Sequence, residues 1–176
     1  MELSTDTLVR LSSLDHFELN LIEEHLVYAF ETESHYHYTI SFSEWPIVGY
    51  DDDSVAYMFN IDRDERKDNR SNIASSRMRN TIAIVLCQFM LTHPNAVVTL
   101  CETKDGREDA RNRLFSYWYD SIMSQFDIQD ISKAEEHVEL SYGSAHLSLF
   151  YRKGVPGIDL IVEVFHELAQ ENFYLE

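Results

Sequence analysis

The passage that most constrains this chain is a helix, a strand and a second helix written almost without interruption. "IASSRMRNTIAIVLCQFMLTH" (residues 73–93) is apolar around most of a helical circumference, with Ile82, Val85, Leu86, Phe89 and Met90 spread over it, so the spacing predicts a central helix. Pro94 stops it. "AVVTLCE" follows as a continuous β-branched run, the pattern of a strand covered on both faces. A Lys-Asp-Gly turn then leads into a helix from Arg107, with Ala110, Leu114, Phe115, Trp118 and Ile122 on one stripe. A buried strand flanked by two helices demands a larger sheet around it.

The rest of the chain supplies that sheet. Leu8, Leu11, Leu14, Leu19 and Ile22 recur at helical intervals, predicting one or two helices over residues 3–25, broken near Asp15 and capped by Thr5 or Asp6. In "VYAFETESHYHYTISFSEW" the alternation of Tyr36, Tyr38, Ile40 and Phe42 predicts the second arm of a hairpin turning near Glu33-Ser34. Val55 to Ile61 reads as a third strand. "HVELSYGSAHLSLFYRKG" alternates on both sides of Gly143-Ser144 and predicts a hairpin turning there. Pro156 and Gly157 open a last amphipathic helix through Leu160, Val164, Phe165 and Leu168. The expected fold is one α+β domain over residues 1–176, a single mixed sheet with flanking helices in the order α-β-β-β-α-β-α-β-β-α.

Composition narrows the function. With 44% apolar residues, five Gly and three Pro, the 176-residue chain can bury a core and is not of low complexity. It has no run long and apolar enough for a membrane span, and its N-terminus lacks the basic and apolar regions of a signal peptide, so a cytoplasmic location is expected. Cys87 and Cys101 lie in apolar segments and read as reduced core thiols. The net charge of −17 is uneven: residues 1–60 carry −11, residues 114–176 carry −8, and residues 61–113 carry +2. The acidic outer segments would repel nucleic acid and anionic membrane, so neither is an expected partner.

Most familiar chemistry lacks its pattern here. His35 and His37 stand at i, i+2, a spacing that places both on one strand face, but no third and fourth ligand lies at metal-site spacing, and no metal is expected. "YDDDS" lacks the alternating oxygens and distal glutamate of a calcium loop. Nucleophile-elbow, phosphate-loop and dinucleotide patterns are absent, and no Ser, His and acid spacing picks out a triad.

The arginines stand out. Arg63, Arg66, Lys67, Arg70, Arg77 and Arg79 fall between the third strand and its helix or at that helix's start; Lys104, Arg107, Arg111 and Arg113 follow the next strand. If the two strands are parallel neighbours, both groups and both helix N-termini share one edge of the sheet, where backbone N–H groups and dipoles favour an anion. Arg70, Lys104, Arg107, Arg111 and Arg113 are therefore the candidate site for an anionic ligand or partner. The competing reading pairs them with the eight acids of the same stretch on a solvated surface. Locally, Gly106 is expected at positive φ, Asp105 as helix N-cap with Glu108 at the third helical position, and Arg107 in the first turn with Arg111 one turn on.

Two resemblances add to this. The element order resembles the GCN5-related N-acetyltransferase fold, in which a strand, a helix, a strand and a helix form a wedge for acetyl-coenzyme A, followed by two more strands. Ala110, Leu114, Phe115 and Trp118-Tyr119 approximate that family's fourth-helix pattern. Its pyrophosphate loop would fall in "NRSNIASSRMRN", where only Arg70 and Ala74 match and Ile73 replaces a glycine. Its general-acid Tyr aligns with Phe115, which has no proton to give. Separately, "TIAIVLCQF" and "CETKDGREDARNRLFSYW" resemble an uncharacterised bacterial family of unknown function. There a Cys-Asp-x-x-Asp-Gly-Arg-x-x-x-Arg-Asn-Arg-Leu-Phe stretch recurs, and Cys101, Asp105, Gly106, Arg107, Arg111, Asn112, Arg113, Leu114 and Phe115 match.

The leading expectation is a non-catalytic acidic protein that binds a protein partner of basic character, of the immunity, antitoxin or phage-defence and anti-defence type, without a cofactor. The alternatives are an atypical acyl-coenzyme A-dependent N-acyltransferase, which would use acetyl-coenzyme A, and a sensor of a small anionic ligand at the arginine junction. The last requires that junction to be concave.

Overall fold

A computed structural model describes residues 2–23, 26–46, 55–64, 75–93, 96–102, 107–140 and 143–170. The elements are α1 (Thr5–Ser12), β1 (Asn20–Glu23), β2 (Val27–Glu31), β3 (His37–Pro46), β4 (Val55–Arg63), α2 (Ser76–Thr92), β5 (Val97–Glu102), α3 (Glu108–Phe126), β6 (Ile131–Leu140), β7 (Gly143–Arg152) and α4 (Ile158–Gln170). The seven strands form one mixed sheet in the order β1-β2-β3-β4-β5-β7-β6. Among the described residues only β4 and β5 pair in parallel; the other neighbours in the sheet are antiparallel. Among the described residues no helix is long and apolar enough to cross a membrane.

Strand alternation sorts the apolar residues onto two faces. Val97 belongs to the cluster under α1, α2 and α3, together with Tyr28, Phe30, Tyr38, Ile40, Phe42 and Phe59. Val98, its neighbour, belongs to the cluster under α4, with Ala145, Leu147, Leu149 and Phe165. Both β5 valines are fully buried, as the β-branched run predicts. α2 is central as expected: Phe89 is fully buried and stacks on Phe42 with ring centroids 3.8 Å apart.

Three sequence expectations need correction. The first is the helix over residues 3–25. α1 ends at Ser12, because Ser13 turns the chain, donating both its N–H and its hydroxyl to the Arg10 carbonyl. Phe17 then enters the core, its N–H donating to Thr81 Oγ1 at 2.9 Å. Residues 20–23 pair with β2 instead of coiling, since a strand edge offers them partners that a short isolated helix lacks. The order is thus α-β-β-β-β-α-β-α-β-β-α, one strand more than expected.

The second is the later hairpin. It forms, but Gly143 and Ser144 are its first β7 residues, paired with Leu140 and Glu139; the turn at 141–142 lies outside the described residues. The third concerns His35, which has φ +58° in the turn before β3 and so does not share a strand face with His37. Both imidazoles approach Glu31, at 2.5 and 3.9 Å.

Candidate functional site

The parallel pair opens a cleft. β4 and β5 share three residue pairs, Tyr57↔Val97, Met58↔Val98 and Phe59↔Thr99. Beyond them each strand follows its other neighbour. β4 stays on β3 as far as Tyr38↔Arg63, and β5 stays on β7 as far as Glu102↔Ala145. The two inner edges therefore part towards their C-terminal ends, the end at which open sheets with parallel strands hold ligands. The gap is a cleft of about 530 Å³ lined by residues 58–62 of β4, 99–101 of β5, and Arg111 and Phe115 of α3. It passes between the two sheet faces: Ile61 and Phe115 pack against the cluster under α2 and α3, Met58 and Leu100 against the cluster under α4.

α3 positions the cation. Its N-cap is Arg107, with φ −117° and ψ 12°, and no side-chain cap bond. Asp105, the expected cap, lies outside the described residues; the cap position is Arg107, so Glu108 is the first helical residue and not the third. Glu108 and Asp109 put carboxylates in the first turn, where they complement the helix dipole. The Arg111 N–H donates to the Arg107 carbonyl at 2.9 Å, and one turn into the helix the Arg111 side chain lines the cleft. Arg107 and Arg113 are exposed. Arg70, Lys104 and Gly106 lie outside the described residues, as do Arg66 and Lys67. Of the candidate anion-binding residues, the cleft lining thus includes Arg111.

The basic residues of α2 are used differently. Arg77 donates to the His16 carbonyl at 3.1 Å, bridges Asp15 at 3.3 Å and Glu33, and lies 4.5 Å over the Phe17 ring. Arg79 donates to Ser121 Oγ at 2.9 Å and to Asn80 Oδ1 at 3.1 Å, joining α2 to α3. Arg63 lies 5.2 Å over the Tyr36 ring. These three are engaged within the fold, but by Asp15, Glu33, Asn80, Ser121 and the Phe17 and Tyr36 rings, not by the acids of residues 61–113.

Burial pushes the Cys101 thiol up to about 11, so at neutral pH it is not a thiolate. Cys87 is buried too and pushed up to about 12. Phe115 lines the cleft without a proton, Tyr119 donates its hydroxyl to the Ile131 carbonyl at 3.3 Å, and Tyr117 is exposed. Lys133 is held between Ser116 Oγ at 2.7 Å and Glu135 Oε1 at 2.5 Å, and it does not line the cleft. His146 Nε2 bonds Asp109 Oδ1 at 2.7 Å, and that bond chiefly holds the Asp109 carboxyl below the usual range. Among the described residues no group of three His, Cys, Asp or Glu could hold a metal ion.

Asn60 and Asp62 were not candidates from the sequence. Their signal was there: polar side chains alternating with Phe59 and Ile61 at the end of a strand predicted to precede a helix. A family model matches residues 74–167, and its description is Family of unknown function (DUF6169). No curated protein and no solved structure matches.

Proposed function

We propose, for a chain that belongs to this family of unknown function, that the protein binds an extended, anion-bearing ligand between β4 and β5 and performs no chemistry on it. The observation that carries the reading is the parting of the two parallel strands beside Arg111. Inner-edge N–H and C=O groups that would otherwise form a ladder face a cleft, and a ligand with amides along its length satisfies them. Arg111 supplies the charge that fixes an anionic group at one end. The concave junction favours this over the purely protein-binding reading expected first.

The strand-helix-strand-helix wedge followed by two strands is similar to that of GCN5-related N-acetyltransferases, which makes coenzyme A, with its amide-bearing arm and phosphates, the first ligand to try. Phe115 and the protonated Cys101 speak for binding without catalysis. Calorimetry and thermal shift with coenzyme A, with pantetheine and with the nucleotide portion alone test it. The expected result is heat and a raised Tm with coenzyme A, weakened about ten-fold by Arg111→Gln, the loss of one charged hydrogen bond. No heat and no shift at millimolar ligand would remove coenzyme A. Thiol release from acetyl-coenzyme A with an amine acceptor would overturn the non-catalytic clause.

A second reading, a basic protein partner, rests on the net charges of −11 and −8 over residues 1–60 and 114–176. It predicts association that weakens as salt rises.

A further inference from the structure

A seven-stranded open sheet has two edges, and here they are treated unequally. On β6, Lys133 is engaged by Ser116 and Glu135, and Glu136 accepts from His166 of α4 at 2.5 Å, so charged side chains are tied to the flanking helices along that edge. β1 has no such guard. All four of its residues are exposed, and Leu21 and Ile22 are 50% and 67% exposed. Among the described residues, the other large apolar side chains so exposed are Val9 and Tyr117. The β1–β2 register shifts between Leu21 and Glu23, so Ile22 stands at an irregularity in the ladder, and both apolar side chains are presented along the edge. Among the described residues no strand pairs with the outer side of β1. An edge with unpaired backbone groups and apolar side chains is a template for another strand.

Charge says what that strand is. Exposed Glu18 and Glu23 flank the apolar pair, within a 60-residue segment of net charge −11. A second copy would bring the same acids and another −17 to the contact. We infer that β1 is the docking edge for an extended segment of a basic protein, added as an eighth strand, with alternating cationic and apolar side chains meeting Glu18, Glu23, Leu21 and Ile22. The site is independent of the cleft, from which β2 and β3 separate it.

The test titrates isotopically labelled full-length protein with a short synthetic peptide of alternating lysine and valine, using an alternating glutamate and valine peptide as charge control. Amide shifts concentrated at residues 20–23, slowed hydrogen exchange there and no response to the glutamate peptide are expected. Glu18→Lys with Glu23→Lys should weaken binding about ten-fold, as two surface charge pairs would. Leu21→Ser with Ile22→Ser should weaken it at unchanged charge. Because all four positions are exposed, unchanged circular dichroism is expected for both variants. Equal response to both peptides, shifts confined to other strands, or no response would overturn the inference. So would β1 shifts that grow with protein concentration without peptide, since these would make a second copy the occupant.

Discussion

The N-termini of α2 and α3 both carry arginines and use them differently. Each helix follows one of the two parallel strands and each opens among arginines. At α2, Ser75 caps the helix, accepting from the Met78 N–H at 3.1 Å, and Arg77 is clamped by Asp15, Glu33 and the Phe17 ring. At α3 the cap position is an arginine without a side-chain cap bond, and Arg111 lines a cleft. The difference lies in what surrounds each arginine. The acids that answer Arg77 come from the turns after α1 and between β2 and β3, which the sheet order brings alongside α2.

The largest expected effect tests whether α2 is the structural anchor. Phe89 stacks on Phe42, meets Tyr57 edge-on at 5.0 Å and stacks on His93 at 4.5 Å. Phe89→Ala should cost about 3–5 kcal/mol in urea denaturation, the range for a fully buried aromatic truncation. A loss below about 1 kcal/mol would mean that α2 is not the anchor.

The next prediction sets the two arginines against each other. Arg77→Gln should lower stability by about 1–2 kcal/mol, from the lost cation–π contact and charged hydrogen bonds, discounted because both acid partners are exposed. Cleft binding should survive it. Arg111→Gln should weaken ligand binding. The same phenotype from both substitutions would abolish the contrast.

A smaller effect concerns the caps. Ser75→Ala should cost about 1 kcal/mol, the usual price of an N-cap hydroxyl. Arg107→Ser should change stability by less than about 0.5 kcal/mol, because ψ near 12° does not hold a cap side chain over the first-turn N–H groups as an extended ψ does. Thermal denaturation of the two variants decides it. Equal and opposite changes would show that α3 accepts an ordinary cap.

How much of this was legible follows from where each signal sits. β5 and α2 were readable because their patterns are local: a β-branched run and an all-round apolar helix need no partner to be recognised. The turn at Glu33-Ser34 was readable for the same reason. β1 was not, because Leu19 and Ile22 fit a helical interval as well as a strand, and only pairing with Tyr28 and Ala29 decides between them. The cleft was half legible. The sequence placed arginines after two strands, but the cleft arises from those strands parting, which depends on the longer ladders of β3 and β7. Asn60 and Asp62 were missed because a polar strand face reads as solvated surface until its neighbour moves away.

The smallest prediction concerns acid, and it compares Glu33, in the turn between β2 and β3, with Asp109, in the first turn of α3. Glu33 is held below the ordinary carboxylate range first by its own backbone hydrogen bond and then by Arg77; Asp109 is held there chiefly by the His146 hydrogen bond. For both, the folded state binds the proton more weakly than the unfolded chain does. Each therefore contributes stability that is present above the unfolded carboxylate pKa and is lost as pH falls through the lower folded value. Removing the partner should not affect the two equally. His146→Gln takes away the main cause at Asp109, so that carboxyl should return most of the way to its ordinary range and the acid limb of unfolding should flatten slightly. Arg77→Gln takes away only the secondary cause at Glu33, which should stay depressed by its backbone bond. Carbon-detected NMR titration of the two carboxyl groups in the parent and both variants measures this directly. Full recovery of Glu33 in Arg77→Gln would make the arginine, not the turn, the main source of its depression. It would also mean that the clamp around Arg77 is electrostatic to a degree its exposed partners argue against.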